Sequence, residues 1–340
     1  MTGGIDRHKL SGLLDAIGGV AVGVIGDFCL DAYWELDAGE AEISVETGKP
    51  TRAVRGQRYS PGGAGNVASN LVDIGARQVA GFGVLGDDLF GRELLALLRE
   101  RRIDTTGMVI QKGGWDTPVY AKPYIAGQEQ ERFDFGRWKE MSGKSEQMLI
   151  GALRARVPTL DALIINQQLI HGPYSDALIA ELNRLAAECD TVCFLLDARD
   201  IIGRFRGMTA MMNAAEAARA CGVPCTYEYT PSPADLREHA RTIAGRSGKP
   251  VLITCGTEGL LAYDGTEFNS VPAISASGPT DPVGAGDTAA AAAAAALGAR
   301  GTLLEAAALA AVAASVTVRK LGETGTASQE EILSLLGSMA

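Results

Sequence analysis

The chain has 340 residues, 46% hydrophobic and 21% charged, enough for a large buried core and ordinary for a globular α/β enzyme. A net charge of −10 and a pI near 5.0 deny a nucleic-acid partner the basic face it needs. Residues 288–297, the longest apolar run, are mostly alanine and too short to span a bilayer. Residues 1–19 lack the basic flank and apolar core of a secretory leader. A cytoplasmic protein without nucleic-acid or membrane partners is expected, and any anionic ligand must be met locally, by backbone N–H groups, a few cations and a metal.

A short opening helix precedes residues 20–25, Val-Ala-Val-Gly-Val-Ile, which read as a buried strand ending at Gly26-Asp27. Residues 31–60 alternate, as in Glu42-Ile-Ser-Val-Glu46 and Thr51-Arg-Ala-Val-Arg55, the period of exposed, half-buried strands. The spacing then predicts a helix over 62–75, a strand over 78–84 and a helix over 89–101. A second alternating patch covers 117–135. The two patches, taken as 31–60 and 115–136, are expected to pair as a small β lid. Further buried strands are predicted at 162–165, 192–196 and 251–254, with helices between them at βαβ spacing. Residues 285–320 read as two alanine-rich helices broken at Gly298 and Gly301, and Ser328-Gln-Glu-Glu331 as the capped start of a last helix. The predicted fold is α/β: a mostly parallel central sheet flanked by helices, in one domain over 1–340, with the lid. The six cysteines show no compact zinc spacing and read as buried, reduced thiols.

The sharpest local signal is Asp281-Pro-Val-Gly-Ala-Gly-Asp-Thr288, followed at once by the alanine-rich helix. Gly284 and Gly286 allow a tight turn that a ligand can approach closely. The helix adds a partial positive charge at its N-terminus, and together they suit a phosphoryl group in transfer. Asp287, a carboxylate beside an anion site, is repelled by such a ligand. It reads either as a general base for an attacking hydroxyl or as a plain helix cap.

The segment Asp281–Asp287 closely resembles the C-terminal signature of the PfkB/ribokinase family of carbohydrate kinases, and Gly62-Gly-Ala-Gly-Asn-Val-Ala-Ser-Asn-Leu71 resembles its N-terminal one. Asp27, Asn213-Ala-Ala-Glu216 and Gly256-Thr-Glu-Gly259 match further family motifs in the expected order. The resemblance implies a ribokinase-like fold, an ATP-dependent phosphotransferase acting on a sugar or sugar-phosphate hydroxyl, ATP and Mg2+ as cofactors, and room for K+. Carried over residue by residue, Asp287 is the base and Gly284, Ala285 and Gly286 the anion hole. Asp27, Asp31, Gly62, Gly63 and Asn66 hold sugar hydroxyls. Asn213 and Glu216 organise magnesium through water, Arg199, Thr254, Gly256 and Gly259 serve the nucleotide, and Asp281 orders a monovalent-cation loop. The bland alternatives are that Asp27 and Asn66 cap local structure and that Asn213 and Glu216 form a solvated helix start.

Within the family, Gly26-Asp-Phe-Cys-Leu-Asp-Ala-Tyr-Trp34 and Arg132-Phe-Asp-Phe135 resemble the kinase domain of bifunctional heptose-phosphate kinase/adenylyltransferases, which makes Arg132 and Asp134 substrate-side candidates. A phosphorylated substrate would need cations, for which Arg52, Arg55, Arg58 and Lys122 are available. The sequence departs from that group at 166–172, where Asn-Gln-Gln-Leu-Ile-His-Gly stands in place of Asp-Tyr-x-Lys-Gly; Arg199 could replace the lost lysine. Exposed lid strands are expected to pair two copies into a homodimer. A dinucleotide-binding reading of Gly63-Ala-Gly65-Asn-Val-Ala68 fails because no apolar strand precedes it. The remaining alternatives are a non-catalytic sugar or nucleotide sensor on a kinase fold, and a nucleoside as substrate.

Overall fold

The computed structural model describes residues 6–39, 41–138, 140–226, 229–322 and 324–338; residues 1–5 and Glu40, on which the leader and first lid readings partly fall, lie outside them. Helix α1 (Arg7–Ile17) begins at an Asp6 cap and leads to β1 (Ala21–Gly26), which is buried along its whole length. Past Asp27 the chain runs straight on into β2 (Phe28–Leu36), then β3 (Val54–Gly63) and α2 (Ala64–Ile74). There follow β4 (Gln78–Gly86), α3 (Leu89–Glu100), β5 (Asp104–Gln111), β6 (Val119–Ile125), and the short β7 (Gln128–Glu129) and β8 (Phe133–Phe135). The second half supplies α4 (Gly143–Arg156), β9 (Ala162–Gln167), α5 (Asp176–Glu188), β10 (Cys193–Ala198), β11 (Thr209–Asn213) and α6 (Ala214–Ala220). It closes with α7 (Pro233–Ser247), β12 (Val251–Thr254), β13 (Leu260–Tyr263), β14 (Phe268–Val271), α8 (Ala285–Gly298), α9 (Leu303–Thr317) and α10 (Gln329–Ser338).

Nine strands form one sheet in the order β14-β13-β12-β11-β10-β9-β1-β4-β5, parallel from β12 to β5 and antiparallel at β13 and β14. Parallel strands need both faces covered, which is why β1 and β9 read as unbroken apolar runs. Helices α8 and α9 lie on one face with α1 and α2, and α4 and α5 on the other. Ala289–Ala296 are all at most 1% exposed, so α8 has no polar side over this stretch. Alanine on every side lets the helix sit close against α9 and the sheet, and also explains why no amphipathic period marks it.

A smaller sheet in the order β3-β2-β6-β7, with β8 on β6, stands beside the main one. In β2, Leu30 and Ala32 join the core, whereas Asp31 and Tyr33 point to the other face, opposite Tyr120 and Lys122 of β6. The fold class is therefore as the sequence implied, with local corrections. The first patch starts earlier, at Phe28, and residues 41–53 are not strands. Only a single bridge, Ile43 to Pro50, is formed there among the described residues, and Val45 is 96% exposed. Alternation without a partner strand has nothing to bury against. Of the cysteines only Cys29 is buried; the other five are half-buried free thiols.

Candidate active site

The parallel strands end where β1, β9, β10 and β11 bring Asp27, the 166–172 loop, Asp197 and Asn213 to one rim. Helix α8 aims its N-terminus at the same place. Gly284, its cap, takes φ +81°, and a Cβ there would lie 3.1 Å from the Gly325 carbonyl and 3.2 Å from Asn66 Nδ2, so glycine fits where another residue strains. The Ala285 N–H is already donated to the Pro282 carbonyl at 3.1 Å. The Gly286 and Asp287 N–H groups, inside the first turn, have no acceptor within the helix. Nothing lies within 4 Å of a Cβ built on Gly286, so this edge is open for approach.

Asp287 is gripped from two directions. Asn66 Nδ2 donates to its Oδ2 at 2.9 Å and Gln168 Nε2 to its Oδ1 at 2.8 Å. Part of the side chain opens on the cleft, yet dense protein surrounds it. That burial pushes its carboxyl up to about 6 against the pull of the Asn66 and Gln168 amides and of Arg199. Asp197, at the end of β10, accepts from Asn166 Nδ2 at 2.8 Å. Burial first, and then the charges of Asp287 and Glu216, push it up to about 8. Three carboxylates thus face a cleft of about 120 Å³ lined also by Gln168, Arg199 and Asn213.

Toward the smaller sheet, Asp27 is buried, and its Oδ2 accepts the main-chain N–H groups of Gln168 and Leu169, each at 2.8 Å. Gly63, with φ +54°, would drive a Cβ to 2.4 Å from the Asp27 carbonyl, and a Cβ on Gly62 would crowd Cys29 and Asp31. Asp31 is buried, 3.3 Å from Lys122 Nζ, and accepts from Thr324 Oγ1 at 2.8 Å. Arg132 and Asp134 bind each other at 2.6 and 2.9 Å, with the guanidinium 4.5 Å above the Tyr120 ring. Of the remaining cations, Arg58 lies over the Tyr33 ring and Arg55 pairs with Asp37.

On the other side, a larger cleft of about 520 Å³ runs between Gly256, Gly259, Ile274, Ala285 and Val318. Thr254 and Gly286 line both clefts, so the two meet at the start of α8. Gly259, at φ +96°, would place a Cβ 2.0 Å from the Val271 carbonyl; Gly256 points to open space. Asn213 and Glu216 cap α6 reciprocally, each side chain accepting the other's main-chain N–H at 2.9 Å. Glu216 is buried, not solvated, and its other oxygen lies 4.0 Å from Arg199 Nε. Asp281 accepts from the Val283 and Gly322 N–H groups at 3.0 and 3.1 Å, tying residues 281–283 to the loop after α9. No trio of His, Cys, Asp or Glu among the described residues could hold a metal ion directly.

Residues 30–330 match the pfkB family carbohydrate kinase domain. The chain belongs to the PfkB family of carbohydrate kinases. The kinase is 31% identical over 332 residues to the Bifunctional protein HldE of Trichlorobacter lovleyi, and 32% identical to that of Hyphomonas neptunium. The alignments cover 97% and 96% of this chain but 65% and 66% of those relatives, so the chain spans about two thirds of their length. Arabidopsis thaliana ribokinase complexed with ribose and ATP superposes with a TM-score of 0.71 at 20% identity, covering 94% of this chain and 99% of that one. Phosphofructokinase-2 from Escherichia coli in complex with potassium gives 0.72 at 17%, with the same coverage. The fold is ribokinase-like, and family membership implies ATP use, usually with magnesium.

The structure brings Asp287, Asn66 and the Gly284–Gly286 turn of this kinase together, with Asn213, Glu216 and Arg199 across the small cleft. Arg132 and Asp134 lie on the smaller sheet, paired with one another. Two residues escaped the sequence reading. Gln168 reaches Asp287 from a loop legible only as a departure from a motif, and Thr324 ties Asp31 and Tyr33 to the loop after α9. No pattern marks an isolated Gln or Thr as a contact across more than a hundred residues.

Proposed function

We propose that this kinase transfers the terminal phosphoryl group of ATP to a hydroxyl of a sugar phosphate, a heptose 7-phosphate foremost, with Asp287 as general base. The observation that carries the reading is the meeting of the two clefts at Gly286, one residue from a carboxylate held by two amides. The larger cleft is roomy and largely apolar, as an adenine nucleotide requires. At its inner end the Gly286 and Asp287 N–H groups, with the α8 dipole behind them, stabilise charge on the phosphoryl group. The resemblance of residues 26–34 and 132–135 to heptose kinases, and the HldE relatives, support the sugar class.

Asp287 takes the proton of the attacking hydroxyl as its oxygen bonds to phosphorus and the bond to ADP breaks. A carboxyl near 6 is ionised at neutral pH yet basic enough to share that proton. Asn66 aims the carboxylate. Lys122 and Arg58, on the face of the smaller sheet that carries Asp31, are the cations for the sugar's own phosphate. Asn213 and Glu216 fit water-mediated binding of magnesium, since their capping bonds leave one Glu216 oxygen facing the small cleft. Magnesium held there would neutralise charge on the phosphates. Asp281, which ties residues 281–283 to the loop after α9 through main-chain N–H groups, would order a potassium loop. The smaller sheet acts as a lid that shuts water out. Its exposed Val54 and Phe133 support pairing of two copies.

The test is ADP release from MgATP over heptose 7-phosphate, hexose phosphates, free sugars and nucleosides. Stimulation by heptose 7-phosphate above the others is expected; stimulation by a nucleoside alone would move the substrate class, and no stimulation would favour a sensor.

A further inference from the structure

Asn166 and Gln167 at the end of β9 and Gln168 just past it are three consecutive amides, each committed to a different part of the site. Asn166 donates to Asp197 at 2.8 Å. Gln167 accepts the main-chain N–H groups of Arg199 and Asp200 at 3.0 and 3.1 Å, fixing the loop that carries the Arg199 guanidinium. Gln168 is bound twice over: its main-chain N–H donates to Asp27 and its side chain to Asp287, both at 2.8 Å. One residue therefore touches both aspartates that frame the acceptor site.

We propose that Gln168 is a positioning residue for phosphoryl transfer, holding the Asp287 carboxylate in register with Asp27 while leaving one lone pair on each Asp287 oxygen for the acceptor hydroxyl. This rests on the reading of Asp287 as base. An ionised carboxylate offers about four lone-pair directions, and Asn66 and Gln168 take one on each oxygen. Removing either donor lets the carboxylate rotate away from the line of attack, and small misplacements of this kind cost rate steeply. A neutral amide is the donor the site tolerates in both halves of the reaction. Gln168 donates to the carboxylate before transfer. Once the hydroxyl proton has moved to Asp287, rotation of the amide presents its carbonyl to the new O–H. A lysine could not make that exchange, and a carboxylate would add negative charge to a cleft that already holds Asp287, Asp197 and Glu216. The charged groups facing Asp287 are Asp31 from β2, Asp197 and Arg199 from the end of β10, and Glu216 from α6.

The test uses Gln168→Met, which keeps length and the main-chain N–H but has no donor, and Gln168→Glu, which adds a charge. The Asp287 carboxyl is followed by carbon NMR in the unliganded protein, its signal assigned by loss in Asp287→Asn. Turnover is followed against pH with MgATP and heptose 7-phosphate. A hydrogen bond to a charged group is worth about one pH unit of titration. Gln168→Met is therefore expected to raise the Asp287 midpoint by about one unit and Gln168→Glu by more. The acid limb of turnover should move with it and kcat should fall at least about tenfold, with KM for MgATP within about twofold. In the parent, the Gln168 side-chain amide signals should titrate with the Asp287 midpoint, a readout independent of any variant's folding. A midpoint unmoved in Gln168→Met, or parent amide signals that ignore the titration, would overturn the inference; a lower melting temperature alone would mark Gln168 as structural and overturn it too. Should Asp287→Asn retain turnover, the base reading falls while the NMR still reports whether Gln168 grips the carboxyl.

Discussion

Replacing Asp287 by asparagine separates chemistry from stability, because the two are expected to move in opposite directions. In the folded protein the carboxyl is pushed from 3.8 up to about 6. A raised carboxyl pKa means that the ionised form is disfavoured in the fold. Its contribution to stability is complete below 3.8 and is lost as pH rises through 6. At about 1.4 kcal/mol per unit, the burden at pH 8 is at most about 3 kcal/mol, and roughly half of it is already present at pH 5. Asparagine lifts this burden but can accept from only one of the two amides without a rearrangement, which returns about 1 kcal/mol. Denaturant unfolding at pH 5, 6, 7 and 8 should therefore show the variant gaining on the parent as pH rises, and levelling off above 7. ADP release should fall on the order of 10²-fold or more in the same preparation. A stability difference independent of pH would refute the desolvated carboxyl, and retained turnover would refute the base.

The remaining expectations concern neighbours. Asp197→Asn should flatten the loss of stability from pH 6 to 8, because over that range the parent carboxyl, raised from 3.8 to about 8, still holds in the fold a proton that the unfolded chain has shed; equal pH slopes would count against its burial. Gly286→Ala should fold normally and hold α8 as well or better, by about 0.5 kcal/mol, while raising KM for MgATP, since its methyl enters the mouth joining the two clefts. An unchanged KM would place the phosphates elsewhere. Gly259→Ala should cost about 2 kcal/mol or more in denaturant unfolding, because its Cβ would meet the Val271 carbonyl at 2.0 Å. Lys122→Met should raise KM for a sugar phosphate at least about tenfold and leave KM for MgATP alone; equal effects on both would remove Lys122 from the sugar side.

What the sequence showed and hid follows from the range of each interaction. The turn before α8 was legible because its glycines, its aspartate and the helix they open are contiguous, and the buried strands because an apolar run needs no partner to be recognised. Strand β11 was missed: five residues, Thr-Ala-Met-Met-Asn, carry too weak a β signal until β10 and β12 flank them. The antiparallel edge, β13 and β14, is likewise made by pairing rather than propensity. The alternative of a solvated helix start at Asn213 and Glu216 fails for Glu216, because β11 carries the start of α6 inward and buries it. Asn66 and Gln168 lie 221 and 119 residues from Asp287, and only the sheet order that sets β1 beside β9, with α2 and α8 stacked above, closes that distance.

The central claim, sugar-phosphate phosphorylation with Asp287 as base, is met most directly by one assay. ADP formation from MgATP is measured with and without heptose 7-phosphate, in the parent and in Asp287→Asn, with the phosphorylated product identified by mass. A sugar-dependent rate in the parent, a product heavier by one phosphoryl group, and loss of about 10²-fold or more in the variant are expected. Equal rates in the two proteins, or a parent silent to every sugar and sugar phosphate offered, would contradict it.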